Sequence, residues 1–231
     1  MRKIISQFVK TLNGIAFPLV CACCNNELHT DDRYICDLCL LERFDKPESG
    51  NNEILPEFVD FLFTMWSFDK GGYLQHLMHK LKYDFLKGVG VELGRELGRA
   101  FKQTTTHYKK SDPEKIVIIP VPLHSKKKRK RGYNQARSLA EGFGGITNWP
   151  VVEEEVVVRV RNTTTQTGLS TAERSKNINE AFLVNEPEKL AGCKTVIIDD
   201  VFTTGATTFE LARIITEASG EKTGIVTVAK A

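Results

Sequence analysis

The segment over residues 196–208 constrains the fold of this chain more than any other part of the sequence. It reads VIIDDVFTTGATT, which is an apolar run, two carboxylates and a hydroxyl-rich turn around one glycine, directly before an amphipathic helix. The run over residues 195–198 is β-branched and too short for a helix, as is typical of a buried parallel strand. Gly205 supplies the backbone freedom that a tight turn needs. The segment therefore predicts a strand, a turn and a helix of an α/β domain.

The turn itself predicts a phosphate cradle. Backbone N–H groups in the turn, together with the positive end of the helix that begins near Thr207, can hold a phosphate without a cationic side chain. A Walker loop is excluded, because the sequence contains no Gly-x-x-x-x-Gly-Lys-Ser/Thr. The candidate phosphate-binding residues are Thr203, Thr204, Gly205, Ala206 and Thr207.

Asp199 and Asp200 sit beside this cradle at the predicted end of the strand. Carboxylates would repel the phosphate, so we expect them to accept hydrogen bonds from sugar hydroxyls or to face a cationic centre or Mg²⁺. They are also the candidate catalytic residues. The alternative is a strand–turn–helix corner of an ordinary α/β domain with surface aspartates.

A second chemical signal is a cluster of cysteines near the N-terminus. Two Cys-x-x-Cys pairs have the spacing of a four-thiolate zinc site, and such a closed site is structural, not catalytic. The predicted ligands are Cys21, Cys24, Cys36 and Cys39. Cys23 leaves the register of the first pair ambiguous, and Cys24 is favoured because it restores the two-residue gap. Unligated thiols or disulfides are the alternative.

A third signal is a run of basic residues after a short apolar strand. The window over residues 115–137 contains eight basic residues and no acidic one, although the net charge of the chain is only +3. We expect a loop at the end of the strand that binds an anion, either a pyrophosphate or a nucleic-acid backbone. A solvated charge run is the alternative. The residues are Lys126, Lys127, Lys128, Arg129, Lys130 and Arg131.

Length and patterning predict one α/β domain with a small appendage. The chain has 231 residues, 41% of them hydrophobic, which is enough for a core. Alternating strand and helix patterns predict a doubly wound parallel sheet. We divide the chain into a helix and zinc-binding module at residues 1–44, a linker at 45–58 and the α/β domain at 59–231. No signal peptide or transmembrane segment stands out, so a cytoplasmic location is expected.

The string over residues 196–208 resembles the signature of the type I phosphoribosyltransferases. In that family the acidic pair binds the ribose hydroxyls of phosphoribosyl pyrophosphate (PRPP) and the following loop binds its 5′-phosphate. The resemblance implies a type I phosphoribosyltransferase-like domain, with Mg²⁺ accompanying PRPP. The basic run would then neutralise the pyrophosphate.

Further motifs resemble the ComF competence proteins, whose zinc-binding cysteines also precede such a domain. These motifs are PVPLH at 120–124, RGYNQA at 131–136, the pair Arg159 and Arg161, and the dipeptide Lys82-Tyr83, for which we expect no particular chemistry. The resemblance implies a DNA-uptake protein that binds single-stranded DNA and PRPP. A DNA-uptake helicase or other competence proteins would be its partners, and it would lie in the cytoplasm or at the inner face of the membrane.

The alternative function is an active phosphoribosyltransferase, a pentosyltransferase of nucleotide or nucleoside metabolism. Such an enzyme would use the same site to pass the sugar to an acceptor. No general base or base-recognition pocket stands out in the sequence, and so the acceptor is not identified. Binding of PRPP is the expectation that the two functions share.

Overall fold

The computed structural model describes residues 19–28, 33–47, 53–69, 71–83, 86–104, 115–161 and 181–231. Three sequence-based predictions lie outside these residues. They are the N-terminal helix over residues 2–13, most of the hydroxyl-rich loop over 161–168 and the helix over 170–179.

Four parallel strands form the central sheet. They are β1 (Val59–Ser67), β2 (Ile116–Pro120), β5 (Lys194–Phe202) and β6 (Thr223–Lys230), in the order β1-β6-β5-β2. Two short strands, β3 (Val157–Arg159) and β4 (Phe182–Val184), pair antiparallel in a separate ribbon. The expectation that every strand joins one parallel sheet is therefore wrong for β3 and β4. Val157 and Phe182 of this ribbon contribute to the core that covers one face of the central sheet.

The described helices surround this sheet. They are α1 (Asp37–Glu42), α2 (Tyr73–Tyr83), α3 (Lys87–Thr104), α4 (Ser125–Arg131), α5 (Gln135–Thr147) and α6 (Ala206–Ser219), with a 3₁₀ turn at Pro187–Lys189. Among the described residues, no helix combines the length and the apolar character needed to cross a bilayer.

The central sheet buries side chains on both of its faces. Val196 and Ile198 of β5 belong to one hydrophobic cluster with α2, α3 and α5, whereas Ile197 belongs to a second cluster with α6. Successive side chains of a strand point to opposite faces, so one strand feeds both clusters. The predicted fold class, a doubly wound parallel α/β sheet with an N-terminal four-cysteine module, is confirmed.

The cysteine module packs against the first face of the sheet through α2 and α3. The buried carboxylate of Glu92 on α3 accepts hydrogen bonds from the backbone amides of Tyr34 (2.6 Å) and Ile35 (3.2 Å). Lys80 on α2 donates from Nζ to the Ala22 carbonyl oxygen at 2.8 Å. The module therefore shares its hydrophobic cluster with the sheet domain. The domain boundaries at residues 44 and 59 stay predictions.

The break between α2 and α3 lies elsewhere than the sequence predicts. Apolar residues recur at helical spacing from Tyr73 to Phe101, and the sequence predicts that this helix breaks near Gly88 and Gly90. In the structure α2 ends at Tyr83 and α3 begins at Lys87, so both glycines lie inside α3. The glycines serve helix packing instead. A β-carbon at Gly90 would press on the side chain of a serine in α5.

The crossing of α3 and α5 depends on this absence of β-carbons. A β-carbon at Gly94 of α3 would collide with the carbonyl oxygen of Leu139, and one at Gly142 of α5 would collide with the carbonyl oxygen of Val91. Both obstacles are backbone atoms, which cannot move aside as a flexible side chain can. Small residues therefore let the two helix backbones touch.

We predict that Gly94→Ala destabilises the fold. The new methyl group must push α5 away from α3, which costs about 1–3 kcal/mol in free energy of unfolding. Thermal denaturation followed by circular dichroism should show a melting temperature lowered by roughly 2–10 °C. Gly145→Ala is the matched control, because Gly145 is an exposed residue of α5 with no atom near its β-carbon position. An equal melting temperature for Gly94→Ala and wild type would contradict the packing argument.

Candidate functional site

The acidic pair lies inside β5, not after it as the sequence predicts. The parallel ladder continues past the carboxylates, with Asp199 opposite Thr227 and Val201 opposite Ala229. β6 is long enough to pair with β5 beyond the aspartates, which is why the strand does not end at residue 198. Both side chains turn back onto the strand, since the Asp200 amide donates to Asp199 Oδ1 at 2.9 Å and the Val201 amide donates to Asp200 Oδ1 at 3.0 Å.

Asp200 points to the face that carries α2 and forms a buried ion pair there. The Nζ of Lys82 lies 2.6 Å from Asp200 Oδ2, and the two side chains are 26% and 7% exposed. Burial alone would raise the pKa of Asp200, but attraction to the Lys82 ammonium outweighs it and lowers that pKa. Burial would likewise lower the pKa of Lys82, and attraction to Asp200 raises it instead. Both groups are therefore held in their charged forms.

Asp199 lies beside Asp200 and within electrostatic range of Arg159 at the end of β3. Burial and then the neighbouring charge of Asp200 raise the pKa of Asp199 to about 8. Burial lowers the pKa of Arg159, and attraction to Asp199 opposes that shift. The two aspartates thus have different environments, since one is fixed by a lysine and the other lies in the field of an arginine.

The predicted phosphate cradle follows β5 directly. Gly205 has a φ of 73°, which is the left-handed conformation expected of this turn, and it caps α6 without a side-chain hydrogen bond. The first backbone bond of α6 runs from the Phe209 amide to the Gly205 carbonyl oxygen at 2.7 Å. The amides that precede Phe209 therefore lie ahead of the helical ladder, where an anion can accept from them. Thr203 and Thr204 are exposed, and Thr207 is half-buried.

The basic run is a helix, not the loop that the sequence predicts. It forms α4, which begins where the His124 side chain accepts a hydrogen bond from the Lys126 amide and ends at Gly132 with a φ of 74°. Lysine and arginine are good helix formers, so these two caps suffice to fold the segment as a helix. The helix divides the six cations among three directions.

Two of these cations, Lys127 and Arg131, are four residues apart and half-buried on the same side of α4. Burial lowers the pKa of Lys127, and repulsion from Arg159, Arg131 and Lys82 lowers it further. These four cations therefore lie within electrostatic range of one another, around the acidic pair. The positive shell of the site comes from α2, α4 and β3.

The other four cations of α4 are more exposed than this inner pair and lie on other sides of the helix. Lys128 forms an ion pair with Glu154. Lys126, Arg129 and Lys130 are exposed and share one side of the helix, since they are spaced by three and four residues. The predicted anion-binding run is thus divided between an inner pair and an outer face.

The residues after α4 hold this arrangement together. Arg131 donates from Nη1 to Gln135 Oε1 at 2.9 Å, and the hydroxyl of Tyr133 donates to the carbonyl oxygen of Leu81, next to Lys82. Asn134 caps α5 by accepting from the Ala136 amide at 3.1 Å, as predicted, and donates to the loop after β2. The RGYNQA motif therefore joins α2, the end of β2 and α5. Tyr133 is half-buried and its hydroxyl is bonded to α2, so its side chain has a structural role.

Mg²⁺ does not fit the acidic pair of this structure. Mg²⁺ needs near-octahedral oxygen ligands, usually including one or two carboxylates. Here Asp200 is engaged by Lys82, and Asp199, whose pKa burial raises to about 8, already lies in the field of Arg159. Among the described residues, the two carboxylates therefore do not form a shared cation site.

The four predicted cysteine ligands converge at one point. Their sulfur atoms all lie within 4.8 Å of one another, with 3.9 Å between Cys21 and Cys39 and 3.6 Å between Cys24 and Cys36. A tetrahedral zinc thiolate site, with Zn–S bonds of about 2.3 Å, separates its sulfurs by about 3.8 Å. The cluster therefore has the donor atoms and the size of a metal site such as one for zinc.

Backbone amides stabilise the thiolate form of one cysteine in the cluster, which is the form that binds a metal. The amides of Cys23 and Cys36 donate to the sulfur of Cys21 at 3.4 Å and 3.3 Å. Burial alone would raise the pKa of Cys21, but hydrogen bonds from the backbone of the two knuckles outweigh it and lower the pKa to about 7. The sulfur of Cys23 points away, toward the carbonyl oxygen of Tyr73 at 3.8 Å. The register with Cys24 is thus the one that brings four sulfurs together.

Sequence reasoning missed the roles of Lys82 and Arg159. Both belong to motifs that stand out in the sequence, Lys82-Tyr83 and the pair Arg159 and Arg161, but neither motif shows which charge it meets. Their partners are far away along the chain, on β5.

The sequence is similar to several competence and DNA utilization proteins. Competence protein F of Haemophilus influenzae is 27% identical over 228 residues, which cover 93% of this chain and 98% of that protein. DNA utilization protein YhgH of Salmonella typhimurium is 32% identical over 144 residues, or 62% of this chain and 60% of that protein. Competence protein ComFC of Bacillus subtilis is 30% identical over 124 residues, or 53% and 48%. No family model matches the sequence.

Solved structures with some likeness include the allosteric regulatory enzyme of purine biosynthesis, with a TM-score of 0.39 and 16% identity over 60% of this chain and 26% of that one. Another is the hypoxanthine phosphoribosyl transferase of Trypanosoma cruzi, with a TM-score of 0.36 and 14% identity over 64% and 66%. A likeness of that size carries no argument about ligand or activity. The similarity in sequence is the informative finding, since the relative from Haemophilus influenzae matches 93% of this chain. It confirms the resemblance of the chain to the ComF competence proteins.

Proposed function

We propose that this protein is a competence-type protein that binds PRPP at the acidic pair and single-stranded DNA along α4 during uptake of transforming DNA. The observation that carries the proposal is the shell of four cations, Lys82, Lys127, Arg131 and Arg159, around the acidic pair beside the glycine turn. Its relatives are named as competence and DNA utilization proteins.

Each part of PRPP has a partner in this arrangement. The 5′-phosphate would accept hydrogen bonds from the amides of the turn at 203–207, which also lie at the positive end of α6. The ribose hydroxyls would donate to Asp199, the aspartate that is not held by a lysine. The pyrophosphate would meet Lys127 and Arg131 on the inner side of α4. The ligand is thus recognised at both its ends.

Single-stranded DNA would bind to the outer face of α4. Lys126, Arg129 and Lys130 are exposed there and share one side of the helix, so their charges can contact consecutive phosphates of a flexible strand. This face adjoins the pair of cations that point to the acidic site. A DNA-uptake helicase or other competence proteins would be partners, in the cytoplasm or at the inner face of the membrane.

The metals have separate roles in this proposal. Zinc would bind the four cysteines and stabilise the module at residues 1–44, which rests on α2 and α3 of the domain at 59–231. Mg²⁺, if it accompanies PRPP, would be carried by the oxygens of the pyrophosphate, because the acidic pair does not form a site for it.

The metal prediction compares two adjacent cysteines. Elemental analysis of protein purified without chelators should give about one zinc per chain. Cys24→Ser should lose most of this zinc, because it removes one of four sulfurs that lie within 4.8 Å of one another. Cys23→Ser is the matched control and should keep the metal. Equal zinc content in the two variants would contradict the assignment of Cys24.

The DNA prediction compares two sets of three charges. Replacing Lys126, Arg129 and Lys130 by Gln should weaken binding of an unstructured oligonucleotide in fluorescence anisotropy. It should also make the slope of log affinity against log salt shallower by about 2, since each lost phosphate contact contributes about 0.7.

The control set is Lys189, Lys194 and Lys222, three exposed lysines that lie before or at the start of β5 and β6. Replacing these by Gln changes the net charge equally and should leave the salt slope near that of wild type. Identical slopes for the two sets would remove α4 as the DNA-binding face.

The PRPP prediction concerns Asp199. Asp199→Ala should weaken PRPP binding in titration calorimetry by about 10- to 100-fold, because the ribose hydroxyls lose their partner and an unsatisfied buried polar group costs about 1–3 kcal/mol. Asp45→Ala, which removes an exposed carboxylate outside the site, should bind as wild type does. Unchanged affinity in Asp199→Ala would place the ribose elsewhere.

A further inference from the structure

We infer that Lys82 stands in for a divalent cation at the acidic pair, so that the protein binds PRPP without needing Mg²⁺. The inference rests on the proposed binding of PRPP at this site. It makes Lys82 a residue that determines which form of the ligand, metal-free or metal-bound, the site recognises.

The first support is the position of the Lys82 ammonium. Its Nζ lies 2.6 Å from Asp200 Oδ2, where a metal bound to this carboxylate would also have to approach. Asp200 is buried, with 7% of its side chain exposed, so a second cation has little space to reach it. A Mg²⁺ ion bound to Asp200 would therefore compete directly with Lys82, and one carried by the pyrophosphate would add positive charge to a site that the protein already makes positive.

The second support is that Lys82 is held in place from its own helix. The hydroxyl of Tyr133 donates to the carbonyl oxygen of the preceding residue, Leu81, and the guanidinium of Arg131 lies 5.5 Å from the centre of the Tyr83 ring. On the same helix, Lys80 is anchored to the cysteine module by its bond to the Ala22 carbonyl oxygen. The end of α2 is thus fixed on both sides of Lys82.

The third support is the balance of charge around the acidic pair. Two carboxylates meet four cations, Lys82, Lys127, Arg131 and Arg159, so this group of residues carries a positive excess. Mg²⁺ commonly neutralises phosphate charge in sites of this kind, whereas guanidinium and ammonium groups can supply the same neutralisation through charge-assisted hydrogen bonds. With its own cations in place, the site is complementary to a bare pyrophosphate ester.

The experiment is titration calorimetry with PRPP in two buffers, one with excess Mg²⁺ and one freed of divalent ions over a chelating resin. No soluble chelator is used, so that metal in the cysteine cluster stays bound. The dissociation constant of wild-type protein should differ by less than about threefold between the two buffers. In Lys82→Met, the dissociation constant without Mg²⁺ should rise by about tenfold or more, and Mg²⁺ should restore part of the affinity.

Two controls frame this comparison. Lys82→Arg keeps the charge and should stay independent of Mg²⁺, and Lys189→Met removes an exposed lysine of the 3₁₀ turn before β5 and should behave as wild type. Circular dichroism checks that each variant is folded. If Lys82→Met does not fold, the wild-type comparison and Lys82→Arg still decide the question.

The possible outcomes distinguish a failure of this inference from a failure of the proposed PRPP binding. Binding by wild type only in the presence of Mg²⁺ would overturn the inference and leave the proposed PRPP site standing. A folded Lys82→Met protein with the same response to Mg²⁺ as wild type would also overturn it. Absence of PRPP binding in both buffers would overturn the proposed function, and with it the role of Lys82.

Discussion

The ion pair between Lys82 and Asp200 is the contact on which the arrangement of the site depends. It joins the end of α2 to the middle of β5, at 2.6 Å and largely out of water. Removing one partner of a buried pair leaves an uncompensated charge, which costs about 3–5 kcal/mol. The pair also fixes the difference between the two aspartates, because the lysine bonds directly to Asp200 and not to Asp199. A site with two equivalent carboxylates is thereby excluded.

This contact links the site to the cysteine module. The module rests on α3 through Glu92 and on α2 through Lys80, and α2 carries Lys82 only two residues further on. Loss of the module would therefore loosen the helix that holds the acidic pair. Over residues 19–28 and 33–44 the module contributes no residue of the candidate ligand site, so its effect on that site is one of positioning.

Much of the fold and part of the site could be predicted from the sequence. Local chemistry sufficed for the left-handed turn at Gly205 and the cap at Asn134, because each depends on a residue and its immediate neighbours. Spacing sufficed for the grouping of the four cysteines. Features that depend on contacts distant in the chain were not predicted. Lys82 and Asp200 are one example, and the division of the basic run among three directions is another, since it follows from helix formation that His124 and Gly132 permit.

The glycines of α3 show why such errors arise. Gly88 and Gly90 predict a helix break when read locally, but the helix continues through them, with Gly88 packed against Tyr34 of the cysteine module and Gly90 against α5. The same holds for the aspartates, which predict a strand end but remain in the ladder with β6. In both places tertiary contacts override the local signal.

A crystal structure of the protein soaked with PRPP, without added divalent ions, tests the central claim most directly. The account predicts the 5′-phosphate on the amides of residues 203–207, ribose hydroxyls on Asp199, pyrophosphate beside Lys127 and Arg131, and the Lys82–Asp200 pair intact. Density for PRPP elsewhere on the molecule would contradict the account. So would a metal ion on Asp200 with Lys82 displaced.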